Sequence, residues 1–147
     1  MLYLGIDTSN YTTSAAVVSD DGTLVADSRL PVKVASGGRG IRQSDAVFTH
    51  VKNLPEVMAG VGDIISSLGA VGVSYAPRDV EGSYMPCFTV GSGFARALSA
   101  VMNVPLYAFS HQQGHIAAAI YSSKQFNLFN EKHLAFHISG GTTEALI

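Results

Sequence analysis

A single cysteine, Cys87, is too few for an internal disulfide framework and suits a reducing cytosol. Charged residues make up 14% of the 147 residues, the net charge is -2, and lysine and arginine form no cluster. A protein meeting nucleic acid across its main surface would carry a basic stripe, so any RNA contact is expected from a local patch, from further sequence or from a partner. No apolar run reaches the ~18 residues of a membrane span. The opening Met1-Leu2-Tyr3-Leu4-Gly5-Ile6-Asp7 has neither the basic region nor the cleavage site of a secretory signal, and a cytoplasmic protein is expected. What is present is a hydrophobic fraction of 47% in a length that suits one ordinary domain with a real core.

Leu2–Asp7 is a short apolar run bounded by Thr8-Ser9-Asn10 and reads as a buried strand. Thr12–Ser19 reads as a second strand, closed by the turn signal Asp20-Asp21-Gly22, and residues 23–32 as a third, completing an antiparallel meander. Residues 36–40 are too glycine-rich for regular structure. Ser44 or Asp45 is then expected to cap a long helix. Its stripe of Val47, Val51, Leu54, Met58, Val61, Ile65 and Leu68 steps by three and four as a packing face does, and Pro55 predicts a kink or break. His50 lies beside that stripe as a packing or capping histidine. A strand over 71–75 follows, then a proline-bearing loop, a small-residue helix over 89–102, a strand over 105–109 and a helix over 111–121. A strand over 133–138 and a glycine turn lead to a final strand.

The order β-β-β-α-β-α-β-α predicts an α/β fold of the ribonuclease-H-like or actin-like (ASKHA) lobe type. Residues 1–132 are expected to form that lobe and 133–147 the first hairpin of a second one. The chain stops at Glu144-Ala145-Leu146-Ile147, on an apolar strand whose edge would be bare, so a longer protein is expected to continue.

Three constellations could carry chemistry. Asp7-Thr8-Ser9 ends the first strand, where a carboxylate can hold a metal-bound water near a phosphate while turn hydroxyls and N–H groups contact the phosphate itself. Ser139-Gly140-Gly141-Thr142-Thr143 lies between two predicted strands, and paired glycines let the backbone approach an anion. Each of these is also an ordinary turn. The third is His111-Gln112-Gln113-Gly114-His115: four apart on a helix capped by Ser110, both imidazoles can reach one metal ion. A zinc-protease helix needs a glutamate base directly after its first histidine, and Gln112 cannot take that proton. His133 and His137 are also four apart, but in a strand that spacing is ~13 Å, too far for a metal pair. Arg78-Asp79 reads as an exposed ion pair or a ligand contact.

Taken in order, Gly5-Ile6-Asp7-Thr8-Ser9, the segment over 37–50, His111-x-x-Gly114-His115 and Ser139-Gly140-Gly141-x-Thr143 resemble the tRNA threonylcarbamoyladenosine synthase family, formerly called O-sialoglycoprotein endopeptidases or glycoproteases. The resemblance implies a two-lobed fold with ATP or threonylcarbamoyl-adenylate between the lobes. It implies a divalent metal, iron or zinc, held by His111, His115 and an aspartate from the C-terminal half. Asp7 would stand for the family's acid after the first strand as a catalytic residue. Thr8, Ser9, Ser139, Gly140, Gly141, Thr142 and Thr143 would contact the nucleotide. The reaction implied is transfer of threonylcarbamoyl to N6 of a tRNA adenosine with the help of partner proteins. This sequence departs from the family in having Asp7 for glutamate, Asn10-Tyr11-Thr12 for Cys-Asp-Glu, Ala76-Pro77-Arg78-Asp79 for Ala-Gly-Pro-Gly, and Thr142 for histidine. A divergent paralogue fits that pattern, either active or scaffolding a modification complex, and the metallopeptidase label is the third reading.

Overall fold

A computed structural model describes residues 1–33, 40–138 and 143–147, with the side chains of 63–65 left aside. Most of the expected glycine loop and Ser139, Gly140, Gly141 and Thr142 of the expected phosphate turn therefore lie outside the described residues.

Strands β1 (Leu2–Asp7), β2 (Thr12–Ser19) and β3 (Leu24–Pro31) form the expected meander. β4 (Leu68–Ala76) and β5 (Leu106–Ser110) add parallel to β1, giving one sheet in the order β3-β2-β1-β4-β5. Helices α1 (Gln43–Ala59), α2 (Phe88–Met102) and α3 (His111–Ser123) connect or follow the strands, and β6 (Ala135–Ile138) pairs with β7 (Thr143–Leu146) in a separate antiparallel ribbon. Short 3₁₀ segments at Gly62–Ser67 and Phe126–Phe129 were not legible in the sequence. Among the described residues no helix is long and apolar enough to cross a membrane.

The period of two decides which face is buried. Leu4 and Ile6 of β1, Ala15 and Val17 of β2, and Val71 and Val73 of β4 point the same way and meet Leu54 and Val57 of α1 and Ala95 of α2. The buried line on α1 is Ala46, His50, Leu54 and Val57: Leu54 is as expected and Met58 packs at the core's edge, but Ala46 and His50 replace Val47 and Val51, and Val51 is exposed. The start also differs: Arg42 precedes α1 without a side-chain cap, and neither Ser44 nor Asp45 caps it. Instead Ile41 and Ala46 pack in one small cluster with Cys87 and Phe88, a hydrophobic staple that fixes the helix entry. α1 runs unbroken through Pro55 and stops at Ala59, so Val61 falls in the turn after it, Ile65 in the 3₁₀ segment and Leu68 in β4. The carbonyl that Pro55 leaves without a partner belongs to Val51, on the solvent side, where water can satisfy it.

α2 approaches β1 at Gly91. A side chain there would start 2.9 Å from Thr8 Oγ1 and 3.3 Å from Thr8 Cγ2. The Thr8 hydroxyl donates to the Cys87 carbonyl (2.9 Å) and accepts from the Gly91 N–H (3.1 Å), so it cannot move aside freely. Gly91→Val is therefore expected to lower the unfolding free energy by about 1–3 kcal/mol in chemical denaturation, because overpacking outweighs the few tenths regained in helix propensity.

His50 is fully buried, with Nδ1 at 2.8 Å from Thr13 Oγ1. Burial pushes its pKa down, opposed by the Asp7 charge and the Asn10 backbone. A histidine depressed in the folded state favours folding above its unfolded value, and that contribution is lost as pH falls from ~6.5 towards the folded value. Denaturation across this range should show stability falling with pH, with a shallower slope in His50→Asn; an equal slope in both would rule His50 out as the group responsible.

Candidate metal centre

The site is assembled at the C-terminal end of β1. Asp7 Oδ1 accepts the Ser9 N–H at 2.7 Å, a side-chain-to-backbone bond that closes the turn. Its Oδ2 accepts from Ser74 Oγ on the neighbouring β4 and from His111 Nδ1 at 2.8 Å. His111 reaches that position because α3 begins directly where β5 ends. Ser110 caps the helix as expected, in a full capping box: its Oγ accepts the Gln113 N–H and its own N–H donates to Gln113 Oε1. His115, one turn further, puts its Nε2 at 2.9 Å from His111 Nε2, with ring centroids 4.3 Å apart at 71°.

Burial alone would push the Asp7 carboxyl up, but hydrogen bonds from His111, Ser74 and Ser9, with the His111 charge, hold it well below the usual carboxylate range. It is a carboxylate at any physiological pH. The His111 Nδ1–H therefore donates to it, which turns Nε2 outward, and in the neutral ring that nitrogen carries the lone pair. Burial, and next the neighbouring His111 and His137, lower His115, favouring its neutral, ligating form. Two nitrogens bound to one zinc at ~2.0–2.1 Å stand roughly 2.9–3.4 Å apart, so the observed pair fits a shared cation. Among the described residues no group of three or more His, Cys, Asp or Glu side chains is already gathered round one point.

The histidines open on a cleft of about 220 Å³ that Pro77, Arg78, Gln112, His137 and Glu144 also line. Glu144 accepts from Arg78 Nη1 (2.6 Å) and from Gln112 Nε2, and both bonds lower its pKa. Arg78 thus pairs with Glu144 and not with the adjacent Asp79, which instead accepts from the Tyr75 hydroxyl and from Gln113.

Of the residues expected at the site, Asp7, His111 and His115 come together. Ser9 lies beside them through its backbone. Thr8 is fully buried and its hydroxyl is committed to Cys87 and Gly91, so its side chain has no free donor for a phosphate. Thr143 is exposed and pairs in register with Ile138. His133 turns away, with Nδ1 against the Glu131 carbonyl, whereas His137 stacks on His115 at 5.6 Å. Ser74, Glu144 and His137 were not legible as site residues. None of them belongs to the three constellations, and only the parallel pairing of β1 with β4 and the placing of the last hairpin bring them in. Cys87 is buried against Ala46 and Phe88 and does not line the cleft, and burial pushes its thiol up.

The strand order and crossover helices define the class: an α/β lobe of the ribonuclease-H-like, actin-like type. A solved structure described as YeaZ from Pseudomonas aeruginosa superposes with a TM-score of 0.56 at 13% identity over 99% of this chain and 64% of its own. A second, described as an uncharacterized protein with similarity to peptidase YEAZ from Pseudomonas aeruginosa, gives 0.51 at 12% identity over 99% and 63%. No protein-family model matches the chain. Curated proteins named tRNA N6-adenosine threonylcarbamoyltransferase do match it. That of Methanopyrus kandleri is 26% identical over 99% of this chain and 42% of its own length. Those of Thermosipho africanus and Caldicellulosiruptor bescii are 29% and 30% identical over the whole chain and 43% of theirs. The chain is similar over essentially its whole length to these transferases and spans less than half of theirs.

Asp7→Asn keeps the shape and removes the charge that three donors converge on. It is expected to cost about 1–3 kcal/mol at neutral pH. Because the folded pKa is depressed, Asp7 stabilises above ~3.8 and the wild type loses that contribution as pH falls below it. Acid titration of unfolding should show that loss in the wild type and not in Asp7→Asn.

Proposed function

We propose that this protein is the metal-holding portion of a transferase that modifies tRNA, placing a threonylcarbamoyl group on N6 of an adenosine. The observation that carries the reading is the His111–His115 pair, nitrogens 2.9 Å apart and backed by the Asp7 carboxylate. In that reaction a bond forms between adenosine N6 and the carbamoyl carbon, the bond from that carbon to the adenylate oxygen breaks to release AMP, and one N6 proton passes to solvent. When bound, a divalent cation (iron or zinc) supplies a Lewis acid for the carbonyl or phosphate oxygens. The protein's own residues do the positioning. Asp7 orients the His111 ring, Ser74 and the Ser9 N–H hold Asp7, and the capping box fixes the helix that presents both imidazoles. The Ser139, Gly140, Gly141, Thr142 and Thr143 turn is assigned to ATP or threonylcarbamoyl-adenylate. The tRNA and the partner proteins of the modification machinery are its partners, and the cytoplasm its compartment.

A second reading is favoured by one observation. The Thr8 hydroxyl is buried and saturated, so one of the two hydroxyls assigned to the nucleotide in the first turn is withdrawn; a scaffold that keeps the metal pair without catalysis fits this. Proteolysis has no such support. Gln112 stands where a base would be needed, and Glu144, the carboxylate lining the cleft, is tied to Arg78 and Gln112 with a lowered pKa, which makes it a poor proton acceptor.

Metal content by elemental analysis and ATP affinity by calorimetry, in the wild type and in His111→Ala/His115→Ala, separate these readings. The wild type is expected to take up iron or zinc and the double variant to lose it. Equal metal in both would remove the metal assignment, and metal uptake without any ATP binding would favour the scaffold.

A further inference from the structure

Arg78 lies in the loop after β4, where Ala76-Pro77-Arg78-Asp79 departs from the Ala-Gly-Pro-Gly of the family that the sequence resembles, and it lines the cleft. Among the described residues lining that cleft it is the one permanent cation. Its Nη1 donates to Glu144 Oε1 at 2.6 Å, while Gln112 Nε2 donates to Glu144 Oε2. Two donors from different elements thus take the two oxygens of one carboxylate. Gln112 is only 8% exposed, so its amide is a buried polar group turned to the cleft wall. The backbone fixes both donors without help from Glu144. The Gln112 N–H donates to the Pro77 carbonyl at 3.1 Å, and the Arg78 N–H donates to Ser83 Oγ at 3.0 Å.

The carboxylate held there is less fixed than its donors. Glu144 belongs to the β6–β7 ribbon, which stands apart from the main sheet. The Arg78 side chain is half exposed, and an ion pair so open to water adds little to stability. Among the described residues only Nη1 of that guanidinium is engaged, which leaves N–H groups to meet a planar carboxylate bidentately. Exchanging Glu144 for another carboxylate keeps the charge balance at Arg78, because one acid group leaves for water as another arrives. The cleft of about 220 Å³ is smaller than the ~300–1,000 Å³ of sites that enclose a drug-sized ligand. It suits a small acid group and not a whole nucleotide.

We propose that Arg78 and Gln112 form a carboxylate-recognition site in which Glu144 is a resident stand-in, displaced when the substrate's own carboxylate binds. The inference rests on the proposed function, since a threonylcarbamoyl group carries the threonine carboxylate at the end away from its carbamoyl carbon. A neutral carbamoyl compound of the same size cannot replace Glu144 at the guanidinium, so the exchange selects acids. Arg78 and Gln112 are thereby specificity-determining residues.

Calorimetric titration of N-carbamoyl-L-threonine into the purified protein, with a chelator present so that no metal contributes, reads this site. Arg78→Gln is expected to weaken binding about tenfold or more, the scale of a charge-assisted hydrogen bond. Glu144→Gln removes the competing charge and is expected to tighten binding severalfold, because more of the sites are then free. An ion pair that only braced the fold would move both variants the same way. N-carbamoyl-L-threoninamide, which is neutral, should bind more weakly than the acid by about tenfold or more. In the wild type the ¹³C carboxyl resonance of Glu144 should shift as the acid binds, a readout that does not depend on how any variant folds. No binding to the wild type or Glu144→Gln, equal affinity for acid and amide, an unmoved Glu144 signal at saturation, or weakening in both variants would overturn the carboxylate site. None of these results bears on metal uptake or ATP affinity, which test the proposed function separately. Acetate binding as tightly as N-carbamoyl-L-threonine, with the same variant pattern, would overturn the substrate assignment and leave only the pair of donors.

Discussion

Asp7 is the junction on which the site depends. One carboxylate, three-quarters shielded from solvent, accepts from the turn after β1, from Ser74 on β4 and from His111 on α3. A carboxylate removed from water must be met by donors or be neutralised. Here each donor comes from a different element, so meeting that requirement also sets the relative positions of those elements. The imidazole that results is oriented, with one nitrogen spent on the carboxylate and the other turned to its neighbour one helical turn away. The low pKa of Asp7 and the outward orientation of His111 Nε2 are two consequences of the same contact.

The rest of the lobe supports that contact. β1 lies between β2 and β4, so the strand that carries Asp7 is the least free to shift. Beneath it α2 packs closely, with Gly91 against Thr8, and the Thr8 hydroxyl bridges the helix backbone to the Cys87 carbonyl. The turn that follows the first strand thus serves two purposes in adjacent residues: Thr8 is spent on packing, and Asp7 and Ser9 remain at the site. On the far side of the cleft, Glu144 collects Arg78 and Gln112 and brings the last hairpin against α3. Gln112, which removes the proteolytic chemistry, has in this way a positive role in closing the cleft.

The sequence was most informative where local rules govern. The first two strands end where their alternation and turn residues place them, and Ser110 caps α3 as its position foretells. The misses have a common physical cause. In the first half of α1 the buried line is Ala46 and His50, one residue before the expected Val47 and Val51, because the sheet it meets, and not the helix's own periodicity, selects the face. Its start is set by the packing of Ile41 against the Ala46, Cys87 and Phe88 cluster in place of a polar cap. Pro55 did not break the helix because its cost falls on the solvent side.

By itself the sequence determined that this is an α/β chain opening with a meander and that His111 and His115 share a helix face, since both follow from periods of two and 3.6. It could not determine that Asp7 orients His111, that Thr8 is buried, or that His137 stands beside His115 while His133, at the same spacing, does not. These depend on pairings between residues 22 to more than 100 apart in the chain, made when parallel strands align and a hairpin docks. No local periodicity encodes such contacts. They are set by which faces must be buried together, and only the tertiary structure resolves that.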